Sequence, residues 1–320
     1  MTGARKWVAV GFGGPEVLRC IDVDVPDPGR GQVTIGVRAS GMNPADAKHI
    51  APGQDPKLLP LPIGYEVAGV VTALGPGTRL ASGGASVGDE VVASPVTGGY
   101  TTAMTVPASS VFAKPATLSF AEAASLLLVA TTAADLLHAC GAREGETVLL
   151  HGAAGAVGVM VLQEARRLGV RVIGTASSPN FDYVRRFGGT PVQYGPGLLD
   201  RVRAAAPQGV AAALDTVGSE EAGDVSLALV SDRSRVVTIA AALRAKADGY
   251  VFVGASNPES GPFRARARAG ILEQAQDGEL VVPMAQTFAF EDAPAAFAML
   301  TSPHAPGKIA LANDDPVAGR

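Results

Sequence analysis

The sequence predicts an α/β protein of two domains, one β-rich and one a doubly wound parallel sheet, on three observations. Short apolar runs broken by turn residues fill the first third of the chain, strand and helix patterns alternate from Glu146 onward, and the final stretch returns to mixed helix and strand. The 320 residues are 47% hydrophobic and 18% charged, which is enough apolar material for two cores.

In the β-rich part, strands are expected at Trp7 to Val10, Gln32 to Ala39, Val67 to Leu74, Glu90 to Ser94 and Thr101 to Val106. Pro52 to Pro62 reads as a surface loop, because proline fixes φ and lacks a donor and so excludes regular helix and central strand. Ser82 to Ser86 is a second, flexible loop. Ser119 followed by Glu122 is a capping-box pattern, and the Ala/Leu-rich run it opens, to Cys140, marks the start of a new domain. Beyond it come strand Thr147 to His151, helix Val157 to Leu168, strand Arg171 to Ala176, helix Phe181 to Phe187 and strand Pro191 to Tyr194. Strands at Val210 to Asp215, Arg235 to Ala240 and Tyr250 to Gly254 continue the alternation, which argues for a parallel sheet covered on both faces. The tail, with amphipathic Glu291 to Leu300 and strand Lys308 to Leu311, offers elements to complete the first domain.

Composition excludes several function classes. The charge of -4 is spread along the chain, and Arg264 to Arg268, beside a Gly-Pro turn, reads as a solvated helix start, so a nucleic-acid partner is not expected. No apolar run approaches the roughly twenty residues of a membrane span. The N-terminus lacks the apolar core of a signal peptide, so a cytoplasmic protein is expected. Cys20 and Cys140 fit a reducing compartment and are expected to be buried and structural. Disorder is expected only at about the last eight residues.

The segment His151-Gly152-Ala153-Ala154-Gly155-Ala156-Val157-Gly158 stands between an apolar strand and a helix. Small residues there permit a tight turn, close approach of a pyrophosphate to the helix amides, and close helix-strand packing. Gly155 and Gly158 occupy the second and third glycine positions of the dinucleotide fingerprint and Ala153 the first, with Ala156 and Val157 between. This is the arrangement expected of a Rossmann dinucleotide site, the alternative being a helix start whose small residues serve packing alone. The second strand carries no acid at its end to bind ribose hydroxyls and repel a 2′-phosphate. It ends Thr175-Ala176-Ser177-Ser178, whose hydroxyls favour NADPH over NADH or else cap a turn before Pro179.

Further pieces, in order, are Asn43-Pro44-Ala45-Asp46, Leu61 to Val71 with its Gly64-Tyr65-Glu66, Gly88-Asp89-Glu90-Val91, Thr131-Thr132-Ala133, Asp215-Thr216-Val217-Gly218 and Gly307-Lys308-Ile309. Together with the glycine turn they resemble the quinone oxidoreductase branch of the medium-chain dehydrogenase/reductase superfamily, the zeta-crystallin-like and zinc-independent one. The resemblance implies a GroES-like catalytic domain, residues 1–118 and 262–320, around a Rossmann domain, residues 119–261. It also implies a homodimer formed by pairing the edges of Rossmann sheets, and a small conjugated carbonyl or quinone as substrate. Zinc-dependent relatives are similar but place a cysteine and a histidine where Asn43 and Tyr65 stand here, and amide or phenol oxygens are poor zinc ligands, so no metal is expected.

The resemblance puts Asn43 near the nicotinamide, as a donor to the substrate carbonyl, with Asp46 supporting its loop. Residue chemistry alone reads Asn43-Pro44 as a turn and Asp46 as a helix cap. Tyr65 is either a second donor or a core tyrosine. His49 is either a proton source or an exposed loop residue. The resemblance further suggests coenzyme contacts at Thr131, Ser177, Tyr194 and Lys308, while the backbone around Val253 ends a late strand and suits the nicotinamide carboxamide. Two other functions compete. One is an enoyl-thioester reductase of polyketide biosynthesis, disfavoured because Ala47-Lys48-His49-Ile50 lacks the tyrosine such enzymes commonly place after the asparagine. The other is a non-catalytic, crystallin-like protein that keeps NADPH for stability.

Overall fold

The structure, a computed structural model, describes residues 2–53, 55–254, 257–302 and 306–313. It divides into two compact units, Met1–Leu128 with Ala269–Arg320, and Val129–Arg268.

The first unit begins with β1 (Thr2–Ala9), β2 (Leu18–Val25), β3 (Gln32–Met42), α1 (Pro44–His49), β4 (Leu61–Pro62), β5 (Val67–Leu74), β6 (Glu90–Ala93), β7 (Ala103–Pro107), β8 (Val111–Ala113) and α2 (Phe120–Ala124). β1 lies between β2 and β4 in a small antiparallel sheet. The Pro-rich segment therefore ends in a strand after all: Leu61 and Pro62 pair with Ala9 and Val8 at the sheet edge, where a missing donor is tolerated. β3 is buried on both faces and pairs with β5 and β7, which is why it reads as a nearly continuous apolar run. Its approach to β5 is close enough that a Cβ on Gly69 would lie 2.1 Å from the Gly36 carbonyl oxygen. The capping box at Ser119 forms: Glu122 N donates to Ser119 Oγ at 3.3 Å, and Ser119 N to Glu122 Oε2 at 2.8 Å. α2 nevertheless packs against β3 and β5, so the compact division falls at Leu128/Val129, later than the change of texture at Ser119. Cys20 corrects the expectation of burial, since it lies on the exposed strand β2; Cys140 is buried.

The second unit carries α3 (Leu127–Ala139, entered from the first), β9 (Thr147–His151), α4 (Ala156–Arg167), β10 (Arg171–Ala176), α5 (Phe181–Arg186), β11 (Thr190–Gln193), α6 (Leu198–Ala205), β12 (Ala212–Asp215), α7 (Glu220–Leu229), β13 (Val236–Thr238), α8 (Ala242–Asp248), β14 (Val251–Phe252) and most of α9 (Ser260–Gln276). Its six strands are all parallel, in the order β11-β10-β9-β12-β13-β14. The order reverses at β9, and beyond the carboxyl ends of β9 and β12 lies the crevice in which such sheets take ligands. The arginines from Arg264 to Arg268 sit well inside α9, which takes Gly261-Pro262 into its first turn instead of following a Gly-Pro turn. Proline is tolerated there because its missing N–H has no intrahelical acceptor. Arg264 is not simply solvated: its Nε donates to Asp135 Oδ2 at 2.8 Å.

The chain then returns to the first unit with β15 (Met284–Ala289), α10 (Ala293–Leu300) and β16 (Lys308–Ala312). β16 runs antiparallel to β3 and parallel to β15, completing a seven-stranded sheet of order β15-β16-β3-β5-β6-β8 with β7 also on β3. Trp7, Met42, Ile50, Tyr100, Phe290 and Phe297 fill the core beneath it, and Trp7 Nε1 donates to the Phe290 carbonyl at 2.9 Å. Asn313 is anchored, donating from N to Arg38 O at 2.8 Å and from Nδ2 to Val37 O at 2.9 Å; the rest of the tail for which disorder is expected lies outside the described residues. No helix among the described residues is long and apolar enough to cross a membrane.

The buried face of β9 sets a stability test. Leu149 is fully buried in the second unit's core, so Leu149→Ala is expected to cost about 2–5 kcal/mol through lost transfer energy and a residual cavity. Leu243, 87% exposed on α8, is the control, with a change to Ala staying within about 0.5 kcal/mol. Urea-unfolding midpoints of both variants check this.

Candidate active site

In the first unit, β3 ends at Met42, the next residue opens α1, and β5 and β16 begin alongside, so a few side chains far apart in sequence meet in a buried polar cluster. Lys308 Nζ donates to Met42 O at 2.7 Å, Asn43 Oδ1 at 2.5 Å and Glu66 Oε1 at 3.2 Å. An ammonium has three donors, and these acceptors use all of them. Asn43 Nδ2 donates to the same Glu66 oxygen at 3.0 Å, and the other Glu66 oxygen accepts from Leu128 N at 2.9 Å. Asp46, at the third position of α1, reaches back to accept from Asn43 N at 2.7 Å and also from Tyr100 Oη at 2.8 Å. Asn43, Asp46, Glu66, Tyr100 and Lys308 are all buried.

Both residue-level readings of this loop are thus partly realised. Asp46 caps the helix, but the Asn43 side chain turns away from it to bridge Glu66 and Lys308. Among the described residues one N–H of Nδ2 has no partner, on an amide whose oxygen is held by a cation and which is therefore a strengthened donor. Burial pushes the Asp46 carboxyl up to about 7, against the hydrogen bonds from Tyr100 and Asn43 and the nearby Lys308 charge, and its Oδ1 has no partner among the described residues. Burial and the Asp46 and Glu66 charges hold the Tyr100 phenol well above its usual range. Tyr65 is half-buried, and its Oη lies 2.6 Å from His49 Nδ1 with the rings stacked at 5.8 Å. His49 is therefore the last residue of α1, engaged by a tyrosine, and not an exposed loop residue.

In the second unit, β9 delivers the chain into a turn at Gly152 (φ +82°), where a Cβ would lie 2.4 Å from Thr216 Oγ1. Gly152 N donates to Thr175 Oγ1 at 3.2 Å and Ala153 N to Thr175 O at 3.0 Å, so the end of β10 holds the turn in place. Ala153 is buried, its methyl filling the space left by the absent side chain of Gly174, where a Cβ would be 2.6 Å away. Gly155 caps α4, and a Cβ there would meet only the Gly152 oxygen, at 3.3 Å, so the far side is open. At Gly158 a Cβ would lie 2.2 Å from Gly152 O; only glycine lets α4 pack this closely. The first-turn amides of α4, from Ala156 and Val157 onward, lack intrahelical acceptors and point out of the helix start, a cradle that fits a diphosphate.

Neighbouring strand ends frame this cradle. Asp215 Oδ1 accepts from Val217 N at 2.8 Å and Gly218 N at 2.9 Å, and Thr216 Oγ1 donates to His151 O at 2.8 Å. His151 is buried with Nε2 unpartnered among the described residues, and desolvation lowers its pKa to about 4 despite the Asp215 charge, so the ring is neutral. Ser177 Oγ accepts from Asn180 Nδ2 at 3.1 Å, Ser178 is exposed, and Tyr194, just past β11, is 54% exposed. Val253 is buried and its N–H is taken by Thr238 O at 3.0 Å; Ala255 and Ser256 lie outside the described residues. Thr131 is buried on α3.

Most of the expected site residues form two groups, while Thr131, Tyr194 and Val253 stand apart from both on α3, past β11 and past β14. Asn43, Asp46 and Lys308 meet in the first unit with Tyr65 alongside; Ala153, Gly155, Ala156, Val157, Gly158 and Thr175 form one turn in the second, with Ser177 and Ser178 at the end of its supporting strand. Lys308, expected among coenzyme contacts, instead has its whole ammonium engaged by Met42, Asn43 and Glu66. Glu66 and Tyr100 complete the cluster without having been singled out from the sequence. Glu66 stands in the Gly-x-Glu motif, a usable signal; Tyr100, 54 positions from its partner Asp46, gives none. A tetrahedral zinc does not fit here, because the donors are an amide and a phenol and the adjacent carboxylate already holds an ammonium. Among the described residues, no group of three or more His, Cys, Asp or Glu side chains is placed to hold a metal.

Asp46 makes the stability of the first unit depend on pH. Its folded pKa lies above the ordinary carboxylate value near 3.9, so the folded state binds the extra proton and this contribution to stability is lost as pH rises from about 4 through about 7. Asp46→Asn, which keeps an acceptor for Asn43 N and Tyr100 Oη, is expected to remove that slope, measured as urea midpoints of the two proteins across the window.

Comparison with known proteins places the chain. Residues 29–116 match the alcohol dehydrogenase GroES-like domain and residues 192–311 the zinc-binding dehydrogenase family. The mouse synaptic vesicle membrane protein VAT-1 homolog is 36% identical over 225 residues, 68% of this chain and 54% of that protein. The rat quinone oxidoreductase is 40% identical over 172 residues, 52% of this chain and 51% of that protein. The chain thus spans about half the length of these curated relatives. Among solved structures, a native mycobacterial quinone oxidoreductase is similar with a TM-score of 0.78 at 30% identity, covering 97% of this chain and 99% of that one. A mycobacterial protein complexed with NADPH is similar with a TM-score of 0.81, at the same identity and coverage. With its GroES-like part, its parallel Rossmann sheet and this identity over the whole of a solved relative, the chain belongs to the medium-chain dehydrogenase/reductase superfamily, in its quinone oxidoreductase-like branch.

Proposed function

We propose that this protein is an NADPH-dependent oxidoreductase that reduces a quinone or an α,β-unsaturated ketone without a metal ion. The observation that carries the reading is the Gly152 to Gly158 turn, which opens α4 at the point where strand order reverses and leaves its first-turn amides free for a diphosphate. The mycobacterial relative complexed with NADPH supports the same coenzyme. Preference for NADPH over NADH rests on the end of β10, where Ser177 and Ser178 stand and an acid does not. When bound, NADPH supplies the hydride.

The protein's own part is to hold the acceptor and stabilise the negative charge that develops on its oxygen. Asn43 is the donor for that charge through its remaining Nδ2 proton, kept in place by Glu66 and polarised by Lys308. Asp46 fixes the Asn43 backbone, and Tyr65, next to Glu66 in sequence, offers a phenol held by His49. In this reading, residues 1–118 and 262–320 act as the catalytic domain and 119–261 as the nucleotide domain, in a cytoplasmic homodimer formed by pairing edges of the Rossmann sheets.

Calorimetric titration with NADPH and NADH, followed by turnover of a quinone, an enone and an enoyl-thioester, tests the proposal. NADPH is expected to bind more tightly than NADH, and the quinone or enone to be consumed. NADPH binding without turnover of any acceptor would favour a crystallin-like role; preference for the thioester would favour an enoyl reductase. Gly158→Val is expected to weaken NADPH binding at least tenfold by pushing α4 off the turn. Asn43→Ala should lower kcat about 10²-fold with NADPH affinity kept.

A further inference from the structure

We propose that Tyr65 and His49 form a proton relay that finishes the reduction of enone substrates, Tyr65 protonating the acceptor's oxygen and His49 resupplying Tyr65 from solvent. The proposal deepens the reading above and rests on it.

The placement of α1 carries the inference. This six-residue helix is tied at both ends to two consecutive residues: Asn43, which opens it, bonds Glu66, and His49, which ends it, bonds Tyr65. The Asn43 tie and the phenol-imidazole tie thus stand at the two ends of one short helix, on adjacent residues of the opposing segment. The two ties differ in exposure. Asn43 and Glu66 are sealed from solvent, whereas Tyr65 and His49 are both half-buried. His49 Nε2 has no partner among the described residues and is not one of the buried unpaired atoms, while Nδ1 lies 2.6 Å from the phenol. Sealed charge stabilisation at one end and a half-buried phenol-imidazole pair at the other is the division of labour that a two-electron reduction of an enone needs. Burial, with the Asp46 charge beside it, pushes the Tyr65 phenol up to about 12, so it carries its proton at neutral pH.

The step balances as follows. Hydride, a hydrogen nucleus with two electrons, bonds to the β-carbon of the enone; the carbon-carbon π pair shifts to form a double bond between the α-carbon and the carbonyl carbon, and the carbonyl π pair moves onto oxygen as the enolate. Tyr65 Oη gives its proton to that oxygen, and the resulting enol tautomerises to the saturated ketone, the proton moving from oxygen to the α-carbon through solvent. His49 Nδ1 gives its proton to the phenolate, and Nε2 takes one from water, so the net consumption is one hydride and one solvent proton. A quinone places less demand on the pair, because its reduced anion is delocalised and weakly basic and can be protonated by water directly.

That difference makes the test. On full-length protein, NADPH affinity, kcat and KM are measured with one enone and one quinone for the wild type, Tyr65→Phe, His49→Gln and the double variant. Tyr65→Phe is expected to lower kcat for the enone by about 10²–10⁴-fold, with the quinone much less affected. His49→Gln, which can keep a hydrogen bond to the phenol but cannot pass a proton on, is expected to lower enone kcat about tenfold, with partial recovery when imidazole is added. It should cost nothing further in the Tyr65→Phe background. Equal losses for enone and quinone, or a Tyr65→Phe enzyme that reduces the enone as fast as wild type, would overturn the relay while intact NADPH binding leaves the broader reading standing. Failure of the wild type to bind NADPH would overturn both.

Discussion

The ammonium of Lys308 is the interaction on which the catalytic side of this protein depends. It arrives on β16, more than 240 positions after its partners, and is buried against a main-chain carbonyl, an amide and a carboxylate. A buried charge of this kind is tolerable only when every donor is satisfied and a counter-charge is near, and the cluster meets both conditions. The same contacts fasten the returning C-terminal strand to the end of β3, so assembly of the seven-stranded sheet and assembly of the polar cluster are one event. A chain whose functional loop follows a strand that its own tail must flank cannot build one without the other.

The second unit is organised by a different constraint, the closeness of backbone to backbone. Glycines at 152, 155 and 158 stand where a side chain would collide with a carbonyl or hydroxyl or intrude on the cradle, and β10 braces the turn through Thr175. Polar strand ends at Asp215 and Thr216 then shape the crevice margin, and the neutral His151 beneath keeps a charge away from the cradle. Packing governs this unit's site and charge compensation the other's.

The two kinds of site were unequally legible in the sequence. Strands with a continuous apolar run between glycines or charges, such as β5, β9 and β10, can be read to the residue, and so can the capping box at Ser119. β2 is harder to read because its side chains are mostly exposed, so the alternation from Ile21 to Val25 covers only a small buried patch, which is also why Cys20 lies in the open. The glycine turn is local and readable from eight consecutive residues. The cluster around Asn43 is assembled from positions 43, 46, 66, 100 and 308, so the resemblance to a family brought out Asn43 and Asp46, while the part played by Tyr100 and the true neighbours of Lys308 required the fold. His49 was ambiguous for the same reason: nothing local to it announces Tyr65.

The buried methyl of Ala153 has a consequence for how this sequence can vary. It sits in the hollow that Gly174 leaves on the adjacent strand, so the two positions share one carbon's worth of room. An exchange that moves the methyl from one to the other keeps the volume constant, whereas adding one overcrowds the strand pair and removing one leaves a void. Drift at the first position of the fingerprint is thereby coupled to a residue outside it, and an ancestor with glycine at 153 would have been expected to carry a larger neighbour at 174.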